Sequence, residues 1–175
     1  MSNRNLHVNL SSNPSKTAGF TLLELITALV LAGILMTIAI PSLQSLRQNS
    51  RAVSAVNNLI SHLNYARNEA VSRATQVTIC KSGDGINCDL SSTGWQQGWK
   101  VYYEAEDGTI ERLRVVDRIA GDVTIEGNFH VRNSISYGAD GFLPGVGNGT
   151  IIVDSGDREI DIIIAVTGRI RTVKR

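Results

Sequence analysis

Metal ligands are scarce in this chain of 175 residues, which holds three histidines and two cysteines, Cys80 and Cys88. Two cysteines cannot make a structural zinc site alone, because such a site takes four ligands. Neither His62 nor His130 stands at metal-ligand spacing from another candidate. No nucleophile sits in a recognisable motif and no histidine–carboxylate constellation forms, so the reading is of a protein that is not an enzyme and needs no cofactor. Net charge is nearly absent too. A formal +1 gives the whole chain no pull on a polyanion. There is no repeat at a fixed period. The glycine-rich run GVGNG, residues 145–149, is followed by no Lys-Ser pair, so it reads as a turn rather than a phosphate-binding loop.

Acids are missing from both ends. Residues 1–19 contain Arg4 and Lys16 but no Asp or Glu, and the last seven residues carry Arg169, Arg171, Lys174 and Arg175 with no acid among them. After the first acid-free stretch, Phe20–Ile40 contains 21 residues with Glu24 as the one charged member. As a helix that run measures about 31 Å, and a bilayer core is about 30 Å thick, so its length fits one membrane span. The positive-inside rule keeps the polar leader cytoplasmic and sends the rest outward. A secretory signal peptide would have a shorter apolar core followed by small residues. Here the small residues, Thr17-Ala18-Gly19, come first. Cleavage after Gly19 would make Phe20 the new N-terminus and keep the whole apolar helix.

Gly19-Phe20-Thr21-Leu22-Leu23-Glu24 ahead of an apolar helix resembles the class III signal of type IV pilins and pseudopilins, with glycine, phenylalanine and glutamate at the family's spacing. The resemblance implies a prepilin leader at residues 1–19, removal of it by prepilin peptidase, and N-methylation of Phe20. Glu24 then becomes the fifth residue of the mature chain, one helical turn from the new α-amino group. A carboxylate inside a membrane wants a positive partner, and a helix N-terminus favours negative charge. In the family this glutamate pairs with a neighbouring subunit's N-terminal amine during assembly. The alternative is an interfacial glutamate that snorkels.

Pro41 closes the transmembrane half, residues 20–41, by removing one backbone donor, and should kink the helix rather than stop it. Beyond it Val53, Val56, Ile60 and Leu63, extended by Ala66 and Ala70, recur at spacings of three and four. Arg47, Arg51, Arg67 and Arg73 lie mostly off that stripe. Residues 42–74 are therefore an amphipathic helix packed on a globular domain. Phe20 to about Ala74 would form one long helix of about 80 Å, a length suited to a filament subunit.

From residue 75 to 175 the helical period gives way to a β-rich domain. Candidate strands are Gln76–Lys81, Gly98–Ala105, Ile110–Ile119, Asp122–Glu126, Val131–Tyr137, Gly149–Asp154 and Glu159–Val166, with Glu106-Asp107-Gly108 as a hairpin turn. Cys80 and Cys88 flank KSGDGIN. On the outward side of a membrane disulfides persist, and closing this loop would stabilise by roughly 2–3 kcal/mol. Asp84, Asn87 and Asp89 lack the ligand spacing and distal glutamate of an EF-hand, so the loop reads as a solvated turn. The stretch ICKSGDGINCDLSSTGWQQGWKVYYEAEDG, then SYGADGFL and IAVTGRIR, resembles the GspH/FimT family of minor pilins and pseudopilins. That resemblance covers essentially the whole chain. It implies an α+β, type IV pilin-like fold, a long N-terminal helix packed against two antiparallel β-sheets. Trp95 and Trp99 then read as core or strand packing rather than base-stacking platforms.

The chain ends in Gly168-Arg169-Ile170-Arg171-Thr172-Val173-Lys174-Arg175. When extended, Arg169 and Arg171 point to one face and Ile170 to the other. Two guanidiniums on one face suit adjacent phosphates, and such contacts give affinity without sequence reading. The other reading is a solvated strand edge whose positive charges prevent aggregation. GRIR also matches the Gly-Arg-x-Arg signature that links FimT-type minor pilins to DNA uptake in natural transformation. That resemblance implies a DNA-binding minor pilin with Gly168, Arg169 and Arg171 in the motif, and Lys174 and Arg175 extending the positive surface. Other pilins, prepilin peptidase and the inner membrane are the further partners. The globular domain would be periplasmic before assembly into a pilus at the cell surface. A structural or priming minor pilin, and a minor pseudopilin of a type II secretion system, remain as alternatives.

Overall fold

A computed structural model of the chain describes residues 19–91, 93–145 and 147–175. The leader residues Arg4, Lys16, Thr17 and Ala18, and Val146 of the glycine-rich turn, lie outside the described residues. Helix α1 spans Leu22–Arg73 and continues through position 41. The chain divides into two compact units at Ile40/Pro41.

In the first unit α1 is apolar on every side. Leu22, Leu29, Leu35 and Ile38 are all exposed, and the helix is long and apolar enough to cross a membrane. In the second unit one stripe of α1 is buried. It comprises Ala52, Ala55, Val56, Leu59, Leu63, Ala66 and Ala70, again at spacings of three and four. The expected stripe shifts at its start: Val53 is exposed and Ile60 only half-buried. The physical reason is size. Small alanines at 52 and 55 take the buried positions there, and Leu59, not Ile60, lies fully in the core. α1 stops at Ala74, which takes a left-handed φ of 52°, while Thr75 N–H donates to Ala70 O at 3.2 Å in a Schellman-type cap.

The rest of the second unit forms eight strands. They are β1 (Val77–Lys81), β2 (Trp99–Glu104), β3 (Ile110–Val116), β4 (Thr124–Gly127), β5 (Ser134–Tyr137), β6 (Gly149–Asp154), β7 (Glu159–Ile164) and β8 (Ile170–Lys174). One sheet has the order β3-β2-β1-β5 and the other β4-β6-β7-β8, and every pairing is antiparallel. The core joins the α1 stripe to Val77, Ile79, Trp99 and Val101 of the first sheet and to Ile125, Ile151, Val153, Ile160, Ile162 and Ile164 of the second. Trp95 and Trp99 are fully buried, and Trp95 donates its indole N–H to Val131 O.

Two expectations change in detail. The candidate strand Val131–Tyr137 begins only at Ser134, because Phe129–Val131 forms a short 3-10 turn that carries buried Val131 inward. The basic end, outside the candidate strands, is also a regular strand. It is β8, the edge strand of the second sheet.

One turn recurs three times: Ala105–Thr109, Gly138–Phe142 and Ala165–Arg169. In each, the fourth residue is a glycine with positive φ, 82° at Gly108, 75° at Gly141 and 77° at Gly168. In each, that glycine's N–H donates to the carbonyl of the first residue, and the first residue's N–H donates to the carbonyl of the fifth. This is the three-residue hairpin connection in which a left-handed residue follows a type I turn.

Candidate nucleic-acid interface

The third of these turns builds the basic site. β7 and β8 pair in the register Ile164↔Ile170, Ile163↔Arg171, Ile162↔Thr172, Asp161↔Val173 and Ile160↔Lys174. Core residues Ile160, Ile162 and Ile164 fix the inward face, so alternation sends Arg169 and Arg171 outward. Both are exposed, with Ile163 and Ala165 lining a shallow groove between them. Neither makes an ion pair among the described residues. Gly168 is there for a steric reason. A Cβ on it would lie 2.4 Å from Gly141 O and 2.6 Å from Arg67 Nε, in a conformation that already disfavours side chains.

The other two basic residues of this end are placed differently. Lys174 lies opposite Ile160, on the other side of the strand from the arginine pair. Arg175 is engaged by acids, 2.8 Å from Glu159 Oε1 and 2.9 Å from Asp161 Oδ2. The outer face of the second sheet is therefore polarised. Arg169 and Arg171 stand at its turn end, and Glu159, Asp161 and Arg175 at the other.

Among the described residues no further lysine joins the pair. Lys81 is buried and donates to Ser91 O at 2.8 Å and Thr93 O at 2.5 Å. Burial pulls its pKa down. Lys100 donates to Ile86 O and lies over the Tyr102 ring, and its pKa is likewise lowered by burial. Arg112 donates to Gly85 O at 3.0 Å. Lys100 and Arg112 hold the loop closed by the Cys80–Cys88 disulfide, whose Cα atoms are 5.6 Å apart, and Lys81 holds Ser91 and Thr93 just beyond it. Within it Asp84 accepts from Ile86 and Asn87 N–H, and just beyond it Asp89 accepts from Ser91 N–H and the Thr93 hydroxyl, so their oxygens serve their own turns. Arg132 shares a pocket with Lys81 and Glu126 beside β4, at the opposite edge of the second sheet from β8.

The residue that sequence reading passed over is Arg67, placed there among the charges off the helix stripe. It reaches from α1 to donate through Nε to Gly141 O and through Nη2 to Thr167 O, both at 3.0 Å. No local pattern announces contacts across 74 and 100 residues.

At the other end of the chain, Gly19 and Phe20 precede α1 and are exposed. Thr21 caps the helix, its hydroxyl accepting the Glu24 N–H at 3.2 Å. Thr21-Leu22-Leu23-Glu24 is thus a Thr-x-x-Glu capping pattern, which sets Glu24 in the first turn.

Comparison with known proteins agrees with this architecture. The profile described as type II transport protein GspH matches residues 55–168, and that of the prokaryotic N-terminal methylation motif matches residues 14–40. The first match ends at Gly168, so Arg169 and Arg171 lie beyond it. No curated protein matches the chain. Among solved structures, the type IV minor pilin FimU of Pseudomonas aeruginosa is similar at 25% identity and a TM-score of 0.58, over 71% of this chain and 90% of its own. The minor pseudopilin EpsH from the type 2 secretion system of Vibrio cholerae shares the fold at 8% identity and a TM-score of 0.52, over 71% of this chain and 97% of its own.

Proposed function

This chain belongs to the GspH family of type IV minor pilins and pseudopilins, and within that family we propose that it is a minor pilin that binds DNA. Membership implies processing by a prepilin peptidase and contact with other pilins. The apolar half of α1 and the methylation motif fit a membrane-anchored pilin that is later assembled into a pilus. In the proposed reading the anchor crosses the inner membrane once, the globular domain is periplasmic, and cleavage after Gly19 exposes Phe20 for methylation. Glu24 pairs with a neighbour's N-terminal amine. The Glu24→Gln chain would then be processed but would fail to enter filaments, seen as full-length mature protein left in the membrane fraction.

One observation carries the DNA reading. Arg169 and Arg171 are exposed, on one face, and unclaimed by any acid among the described residues. Alternate residues on a strand stand about 6.6 Å apart, and each guanidinium presents a fork of donors that a phosphate accepts. Binding of this kind takes hold of the backbone and reads no sequence. Because two contacts are few, firm capture of DNA during uptake draws on several copies or on neighbouring pilins.

The test compares the full chain in nonionic detergent with Arg169→Gln plus Arg171→Gln, on a short random-sequence duplex at two salt concentrations. Salt-sensitive binding that disappears in the double variant, with circular dichroism unchanged, supports DNA capture. Absence of binding by the wild type at low salt sinks it.

A second reading has its own support. The family match stops at Gly168, so the arginines lie outside the matched region, and the EpsH pseudopilin shares the fold. The chain is then a structural or priming minor pilin, or a minor pseudopilin of a type II secretion system. Unchanged pilus assembly or secretion by the double variant, together with no DNA binding by the wild type, would favour that reading.

A further inference from the structure

The turn that presents the arginine pair is held from outside its own hairpin at three points. Val166 N–H donates to Asn148 Oδ1 at 3.1 Å. Val166 O accepts from Leu143 N–H at 2.8 Å, and Thr167 O accepts from Arg67 Nη2 at 3.0 Å. Arg67 is the member that comes from α1, and its second bond, Nε to Gly141 O, ties down the loop on which the turn rests. Gly168 seals the junction, since its Cα packs where only a glycine leaves room for both Gly141 O and the Arg67 side chain.

We propose that Arg67 is the positioning residue of the arginine site. Its planar fork bridges two carbonyls on separate segments, and so fixes the β7–β8 turn and the direction in which Arg169 and Arg171 leave it. The inference rests on the DNA-binding reading and deepens it, by adding a residue about 100 positions away in sequence to the same site. Three physical features support it. The distal end of a two-stranded hairpin frays unless it is tethered, because few contacts oppose local opening. A guanidinium holds two acceptors in a fixed mutual geometry, whereas an ammonium is a single point on a flexible stem. Both acceptors here are neutral carbonyls and no carboxylate pairs with Arg67 among the described residues, so its charge is uncompensated beneath the site.

Arg67→Lys separates positioning from charge and bulk. It keeps the positive charge and most of the aliphatic stem but loses the two-point bridge. The full chain in nonionic detergent would be compared with this variant, alone and combined with Arg171→Gln. Three readouts are needed: affinity for a random-sequence duplex, amide hydrogen exchange, and melting temperature. Exchange should quicken at Leu143 and Gly168 while the α1 amides stay as in the wild type. Affinity should fall about tenfold, the scale of one charge-assisted contact. In the Arg171→Gln background, where one arginine is left to direct, Arg67→Lys should cost less affinity than it does alone.

Wild-type affinity in Arg67→Lys would overturn the proposal, as would an equal loss in both backgrounds, which would make Arg67 a direct contact or a global stabiliser. Should the lysine variant not fold, Arg67→Gln retains one donor and takes the same measurements. Failure of the wild type to bind DNA would instead sink the function on which the inference rests. The exchange data would then still show whether Arg67 orders the turn.

Discussion

A fourfold rise in salt should weaken duplex binding by about 12-fold if the site is what its geometry says. Each neutralised phosphate contributes about −0.9 to the slope of log affinity against log salt. Four basic residues in the final seven invite a slope of about −3.6 and a loss of roughly 150-fold over that range. The fold removes two of them. Lys174 projects to the opposite side of β8 from the arginines, and Arg175 is paired with Glu159 and Asp161 at 2.8 and 2.9 Å. Arg169 and Arg171 remain, giving a slope of about −1.8. Fluorescence anisotropy of a labelled duplex with the full chain in nonionic detergent, from about 50 to 200 mM salt, measures it. Arg175→Gln should leave the slope unchanged. It should lower stability by about 1 kcal/mol, because Asp161 is nearly buried while its partner is more than half exposed, which discounts the pair. A wild-type slope steeper than about −3, or a slope that Arg175→Gln flattens as Arg171→Gln does, would refute the two-arginine site.

Four further outcomes follow from particular contacts. Gly168→Ala should cost about 2–4 kcal/mol, from a left-handed alanine and a Cβ set 2.4 Å from Gly141 O, and should abolish DNA binding with both arginines intact; a variant with wild-type melting and affinity would show that the turn can shift at no cost. Ala74→Gly should stabilise by about 1 kcal/mol, since the cap residue sits at φ 52°, read as a higher denaturant midpoint with an unchanged slope. Replacing both Cys80 and Cys88 by serine should lower stability by about 2.5 kcal/mol on the chain-entropy account of an eight-residue separation, with Arg169 and Arg171 still competent in binding. Hydrogen bonds from Thr93 and Ser91 hold the Asp89 carboxyl down at about 2. Its contribution to this turn is therefore present above the usual carboxylate range and lost as pH falls through about 2, so protection of the Ser91 amide, relative to its intrinsic exchange rate, should fall between about pH 4 and 2 and stay flat in Asp89→Asn.

Much of this architecture is legible in local pattern. Phe20–Ile40 declares an apolar helix long enough to cross a membrane, because its 21 residues hold one charge. The alternation in Gly149–Asp154 and Glu159–Ile164 declares two strands whose inward residues are Ile151, Val153, Ile160, Ile162 and Ile164. The strand at the end was less plain, because Arg, Thr and Lys dilute its apolar signal. A turn signal was nonetheless present. Ala-Val-Thr-Gly-Arg makes the same two hydrogen bonds as Ala-Glu-Asp-Gly-Thr, whose Asp-Gly announced a hairpin. With Thr167 in place of the aspartate, the glycine was the remaining cue. The helix stripe was misplaced by one position at Val53 and Ile60 because hydrophobicity ranks valine above alanine, whereas close packing of a helix on a sheet selects the small residue at Ala52 and Ala55. Arg67 and the Arg175 pairs are contacts between distant segments, and no periodicity encodes them.

The two halves of the Gly-Arg-x-Arg stretch carry different information. The glycine answers to the fold: Gly168 is required by a turn at φ 77° and by Gly141 O and Arg67 above it, whatever the protein binds. It also closes the region that matches the GspH family. The arginines answer to nothing inside the molecule. They make no ion pair among the described residues, and the core contact of β8 comes from Ile170 between them. A solvated edge strand needs charge to prevent pairing with another edge, and lysine or glutamate at 169 and 171 would meet that need equally well. Phosphate binding would not survive glutamate and would weaken with lysine, because the planar fork is lost. Arg169→Lys plus Arg171→Lys therefore separates the two roles. Solubility and melting should match the wild type, while duplex affinity should fall by several-fold; equal affinity would mean that the pair acts as positive charge alone.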